Sequence, residues 1–252
     1  MTEPSKAHKP SIKTKDRIIV ALDVETAGEA RAMVREIGDR VGAYKVGSQL
    51  FTSAGPGFVR ELTGEGTRVF LDLKFHDIPN TVAKAAVEAA RLGVWMFNVH
   101  SSGGREMMTA AANAVKEFCD EAGKEVPIIL GVTVLTSANA TTLKESGIES
   151  TVEEHVVKLA RATADSGLSG VVASSHEICL IRNSIKTDKF VIVTPGIRPI
   201  DATNDDQKRV MTPAEAVSAG SDYLVIGRPI TSAEDRKGAI NKIIDEIDRP
   251  NK

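Results

Sequence analysis

Eight short apolar runs, each followed by an amphipathic stretch, recur from Ile18 to the end of the chain. Few architectures accept that pattern. Apolar runs without polar alternation are what parallel strands look like when both faces are covered. Strands are expected at residues 18–24, 43–47, 69–73, 96–100, 127–135, 170–174, 190–194 and 223–227. Helices are expected at residues 29–37, 57–62, 79–92, 105–121, 150–164, 176–185 and 234–247, with another opening at Thr212-Pro-Ala-Glu215. That last segment and Ser150-x-x-Glu153 both read as capping boxes. Eight strands alternating with eight helices predict a single-domain α/β protein, a (β/α)8 TIM barrel with right-handed crossovers. The competing open doubly wound sheet carries a glycine fingerprint in its first turn. Here that turn is Asp23-Val-Glu-Thr, so the barrel is favoured.

The length of 252 residues suits one such barrel without disulfide staples. A net charge of -2 gives no general attraction to nucleic acid or anionic membrane, and 4% aromatics are too few for a base-stacking platform. Cys119 and Cys179 form no CxxC pair, and the five histidines show no metal-ligand spacing, so no metal site is expected. No secretory signal or membrane-length apolar run is evident, which makes the cytoplasm the expected location. Residues 1–15 are polar, contain two prolines and show no period. They are expected to form a disordered tail ahead of a catalytic domain at 16–252.

The polar residues inside the expected strands carry the functional signal. Residues 68–81 read Arg-Val-Phe-Leu-Asp-Leu-Lys-Phe-His-Asp-Ile-Pro-Asn-Thr. Alternation along a strand sends Asp72 and Lys74 to one face, with Asp77 just beyond and Pro79 suited to the first turn of a helix. Reading the other strand ends adds Asp23, Lys45, Thr136, Thr194 and the pair Gly227-Arg228. Active sites of such barrels lie on the rim formed by these ends. Lysines and aspartates are seldom buried alone in strands, so three acids and two lysines gathered there point to proton chemistry. Asn98 and His100 end the fourth strand and read equally as barrel filling or as ligand contacts, while His76 reads as a packed residue or a support for its neighbours rather than a base. Phosphate is commonly held after strands seven and eight. There the chain offers Arg198, Gln207 in a long polar loop at 195–210, and Gly227-Arg228, with Pro195 as a rigid wall.

With these residues in view, the chain resembles the bacterial type of the orotidine 5′-phosphate decarboxylase family. The likeness rests on Leu71-Asp-Leu-Lys-Phe-His-Asp-Ile-Pro-Asn-Thr81, Val193-Thr-Pro-Gly-Ile-Arg-Pro199 and Asp206-Gln-Lys-Arg-Val-Met-Thr-Pro213. Tyr223-Leu-Val-Ile-Gly-Arg-Pro-Ile230 and Ala21-Leu-Asp23 add to it, and it spans residues 16–248. The resemblance implies decarboxylation of orotidine 5′-phosphate to uridine 5′-phosphate without metal or organic cofactor. It implies that Lys74 delivers a proton to C6 of the ring, with Asp72 beside the departing carboxylate. Asp77 and Thr81 match positions reaching into a neighbouring subunit's site, which implies a homodimer. Asp23 and Lys45 match residues at the ribose and the charged network, and Thr136 a pyrimidine contact. Arg198, Gln207, Gly227 and Arg228 match the phosphate grip.

Two alternatives have the same residues in different roles. A metal-dependent sugar-phosphate decarboxylase would use a similar Asp-x-Lys-x-x-Asp with magnesium. A catalytically silent nucleotide-binding barrel would bind without turnover.

Overall fold

Each apolar run pairs in parallel with the next, and the eighth returns to the first to close a barrel in the order β1 to β8. The computed structural model describes residues 12–199 and 211–249. The strands are β1 (Ile18–Ala21), β2 (Ala43–Gly47), β3 (Val69–Phe75), β4 (Met96–His100), β5 (Ile128–Val132), β6 (Gly170–Val172), β7 (Val191–Pro195) and β8 (Tyr223–Ile226). Between them run α1 (Ala27–Ile37), α2 (Ser48–Gly64), α3 (Pro79–Arg91), α4 (Gly104–Ala122), α5 (Ala140–Glu145), α6 (Val152–Asp165), α7 (Ile178–Ser184) and α8 (Pro213–Ala219). After β8 come α9 (Arg228–Thr231) and the closing α10 (Arg236–Asp248).

Strand alternation divides the core in two. Ile18, Val20, Leu71, Phe97 and Ile192 pack outward against the helices. Ile19, Ala43, Phe70, Met96, Leu130, Val193 and Val225 fill the barrel interior. Two residues further along several strands, the same inward face carries Lys45, Asp72 and Asn98 instead. The barrel is therefore greasy at mid-height and charged at the C-terminal mouth.

The boundaries differ from expectation at identifiable places. The second helix is expected only over 57–62, but α2 starts at Ser48 directly after β2. Gly55, at φ 70, kinks it, and Pro56 opens the second segment, where its missing N–H is harmless. The capping box of α6 is Thr151 with Glu154, one residue later than Ser150-x-x-Glu153. The box Thr212 with Glu215 opens α8 as the sequence indicated, and Pro79 begins α3. The expected fifth strand ends early at Val132, and α5, capped by Asn139, follows in what read as loop.

The tail boundary also moves. Thr14–Arg17 form a 3-10 helix, Lys15 pairs with Asp39, and the Thr14 hydroxyl donates to Asp248 on α10 at 2.5 Å. Residues 14 and 15 thus belong to the folded barrel, whereas residues 1–11 lie outside the described residues. Among the described residues no helix is long and apolar enough to cross a membrane.

Candidate active site

Three neighbouring strands aim charge at one point of the mouth. Asp72 on β3 is the hub. Its Oδ1 accepts from Lys74 Nζ at 2.6 Å and from Asn98 Nδ2 on β4 at 2.7 Å. Its Oδ2 lies 3.5 Å from Lys45 Nζ on β2. Lys45 in turn donates to Asp23 Oδ1, just past β1, at 3.0 Å. The chain of charges therefore runs Asp23, Lys45, Asp72, Lys74 across β1 to β3. Its middle members are sheltered, with side chains 10% exposed for Lys45 and 14% for Asp72. Lys74 is more open at 32%.

Burial pushes the Asp72 carboxyl up, but Lys45, Lys74 and the Asn98 amide outweigh it and hold the group below the ordinary carboxylate range. Asp72 is thus an anion clamped between two ammonium groups. Gly47 keeps the neighbourhood open, since a Cβ there would lie 3.1 Å from Lys45 Nζ.

Simple alternation does not explain how Lys74 reaches Asp72. Pairing of β3 with β4 shifts register between Leu71 and Phe75, and Lys74 adopts φ 53. Among the described residues it is the one non-glycine residue with positive φ. For an L-residue that conformation costs roughly 1–2 kcal/mol. The Lys74 N–H, turned out of the ladder, donates to Asn98 Oδ1 at 2.8 Å. Asn98 is fully buried and so links to both catalytic candidates on β3. The sequence left it between barrel filling and a ligand contact, and only its inward position beside β3 hinted at these bonds.

A cavity of about 160 Å³ opens beside this array, lined by Lys45, Asp72, Lys74, Thr136 and Pro195, with Phe70, Val132, Val172 and Val225 among its apolar residues. Pro195 ends β7, and the turn after it uses Gly196 at φ 76. Gly227 follows β8 beside Asp23, where a Cβ would sit 3.7 Å from Asp23 Oδ2. Arg228 begins α9 directly after it. Arg198 donates its backbone N–H to Met211 O at 3.2 Å, and Ile197 bridges to Met211, so the two sides of the segment 200–210 meet beyond β7. Gln207 lies outside the described residues. Thr194 points instead into the wall, sharing a 2.8 Å hydrogen bond with the Ser221 hydroxyl.

Asp77 and Thr81 stand apart from the cavity lining. Both are exposed at the start of α3, around Ile78, a large apolar side chain that is 67% exposed. Asp77 Oδ1 accepts from the Ile78 N–H at 2.6 Å. His76 and His100 face each other on the same side, with ring centroids 5.4 Å apart. Burial, then the charges of His76 and Lys74, lower the His100 pKa.

Comparison with known proteins gives a consistent result. The sequence profile described as "Orotidine 5'-phosphate decarboxylase / HUMPS family" matches residues 16–243. The orotidine 5′-phosphate decarboxylase of Syntrophotalea carbinolica is 54% identical over 237 residues, covering 94% of this chain and 96% of the relative. That of Geobacter sulfurreducens is 54% identical over 236 residues, covering 93% and 97%. The crystal structure of the Lactobacillus acidophilus orotidine 5′-phosphate decarboxylase superposes with a TM-score of 0.82 at 38% identity, covering 92% of this chain and 99% of that one.

Proposed function

We propose that this chain, which belongs to the orotidine 5′-phosphate decarboxylase / HUMPS family, converts orotidine 5′-phosphate to uridine 5′-phosphate and CO2, the last step of de novo uridine 5′-phosphate synthesis. The observation that carries this reading is the Lys45–Asp72–Lys74 array at the edge of a small cavity at the barrel mouth.

The chemistry explains why such an array is useful. Breaking the C6–carboxylate bond leaves its electron pair on C6, in the plane of the ring, where the ring cannot delocalise it. A cation must therefore stand where that charge develops. Lys74 is that cation. Its Nζ stabilises the carbanion, then gives up a proton to form the C6–H bond, and solvent restores the proton afterwards. At an effective dielectric of about 20, unit charges 4 Å apart interact by roughly 4 kcal/mol. That is large, yet short of the ~20 kcal/mol that a very slow reaction demands.

Further stabilisation comes from two sources. Asp72, ionised by its environment, holds the lysine in place and opposes the substrate carboxylate until CO2 leaves. Binding of the distant phosphate offsets strain at the ring. Arg198, Gln207, Gly227 and Arg228 take that role, Asp23 and Lys45 the ribose, and Thr136 and Pro195 the base.

Asp77 and Thr81 complete a neighbouring subunit's site in a homodimer. Their exposure beside Ile78, away from their own cavity, supports this arrangement. Mixing Lys74→Ala chains with Asp77→Ala chains, each inactive alone, regenerates one intact site per hybrid. Activity is expected to return to about a quarter of the parent level or less. Hybrids that form without recovering activity contradict the shared site.

The metal-dependent alternative asks Asp72 to be a ligand. Its two oxygens already face two ammonium groups and an amide, a poor environment for a dication. Incubation with orotidine 5′-phosphate and a chelator, followed by loss of ultraviolet absorbance, tests the proposal. Turnover should be unaffected by the chelator. Tight nucleotide binding without turnover, or turnover abolished by the chelator, contradicts it.

A further inference from the structure

We infer that Asn98 is a positioning residue for the reaction, fixing both the Asp72 carboxylate and the strained backbone of Lys74. The inference rests on the decarboxylase reading for its kinetic consequences, though not for its geometry.

Asn98 occupies the inward position of β4 one step above Met96, where the barrel filling is otherwise apolar. An amide buried there must find partners for both ends. The Lys74 N–H can only donate and the ionised Asp72 can only accept, so the two partners dictate which end of the amide faces which. No aliphatic residue can replace either bond, and no simple hydroxyl spans both. Without the acceptor, the Lys74 N–H is stranded at a register break in the sheet, and the left-handed turn at Lys74 loses its anchor. Asp72 Oδ1 would keep Lys74 as its one remaining partner there, free to swing with that flexible side chain. The consequence is specific: Asn98 touches no substrate-facing surface, yet it sets the angle at which Lys74 leaves the strand.

Asn98→Asp provides a test that a merely structural role would not pass. When protonated, the new carboxyl keeps the acceptor for Lys74 and a donor for Asp72. When ionised, it sets two carboxylates against each other. The surrounding charges are Asp72 and Lys74 on β3, Lys45 on β2, and His100 with its partner His76 along the rim; β5 presents Leu130 at the paired position. The experiment measures kcat and KM for orotidine 5′-phosphate in the parent, Asn98→Asp and Asn98→Leu from about pH 5 to 9. Uridine 5′-phosphate affinity is measured alongside, with hydrogen exchange of the Lys74 amide in the parent.

Asn98→Asp should lose kcat as pH rises, by about tenfold or more beyond the parent's own profile, while nucleotide affinity changes little. Asn98→Leu should be depressed roughly a hundredfold at every pH. The Lys74 amide should exchange far more slowly than that of exposed Asp77. A profile for Asn98→Asp parallel to the parent's overturns the inference. So does a rapidly exchanging Lys74 amide, which decides the matter even if Asn98→Leu fails to fold. A parent that does not turn over orotidine 5′-phosphate would defeat the decarboxylase reading, and a protected Lys74 amide would still support the Asn98 geometry.

Discussion

The two rims of the barrel solve the same problem, polar groups at strand ends, in opposite ways. At the N-terminal rim Arg182 donates to Gly220 O, Phe190 O and Asp222, and Asp222 also accepts from the Ile192 N–H. Arg17 donates to the carbonyls of Ser221 and Asp222, and Trp95 meets Tyr223 edge-on at 5.1 Å. These groups join α7, β7, β8 and the N-terminal 3-10 helix into a closed arrangement. At the C-terminal rim the chain instead clusters two lysines around one half-buried acid and bends Lys74 into a costly conformation beside an open cavity. One rim uses polar contacts to hold the barrel shut. The other uses them to hold charge in readiness, at some expense in stability.

That contrast can be broken by mutation. Arg182→Ala removes the guanidinium that pairs with Asp222 and ties α7 to the carbonyls of Phe190 and Gly220, and should cost about 3 kcal/mol, lowering Tm by roughly 6–12 °C. Thermal unfolding measures the loss, and kcat per folded molecule should not change. A large kcat effect with normal stability would erase the division between the rims.

A smaller effect sharpens the other side. Lys74→Gly and Lys74→Ala both remove the ammonium, but only glycine adopts φ 53 without strain. The glycine variant should therefore be the more stable of the two by about 1 kcal/mol, opposite to the usual order of these residues within strands. Denaturant unfolding of the two variants resolves this. Equal stability would mean that the left-handed turn at Lys74 carries no strain.

Much of this architecture was legible in the sequence because it rests on period and position. The eight apolar runs, Pro79 at the start of α3 and the Thr212 box depend only on local chemistry, and each stands where expected. The charged strand residues were visible for the same reason, being costly to bury without purpose. What escaped depends on partners distant in sequence. The register shift in β3 is set against β4, so alternation alone predicted the meeting of Asp72 and Lys74 for too simple a reason. Asn98 gains its meaning from residues 24 and 26 positions earlier. The kink at Gly55 hid half of α2, since Gly-Pro-Gly reads as a break when it is only a bend.

The central proposition is that a cation on Lys74, pinned by Asp72, stands where the carbanion forms. Lys74→Met removes the charge while keeping an unbranched side chain of similar reach, and single-turnover decarboxylation of orotidine 5′-phosphate reads the result directly. The rate should fall by about 10⁴-fold or more, with uridine 5′-phosphate affinity kept within about threefold. A rate within about tenfold of the parent would contradict the proposition.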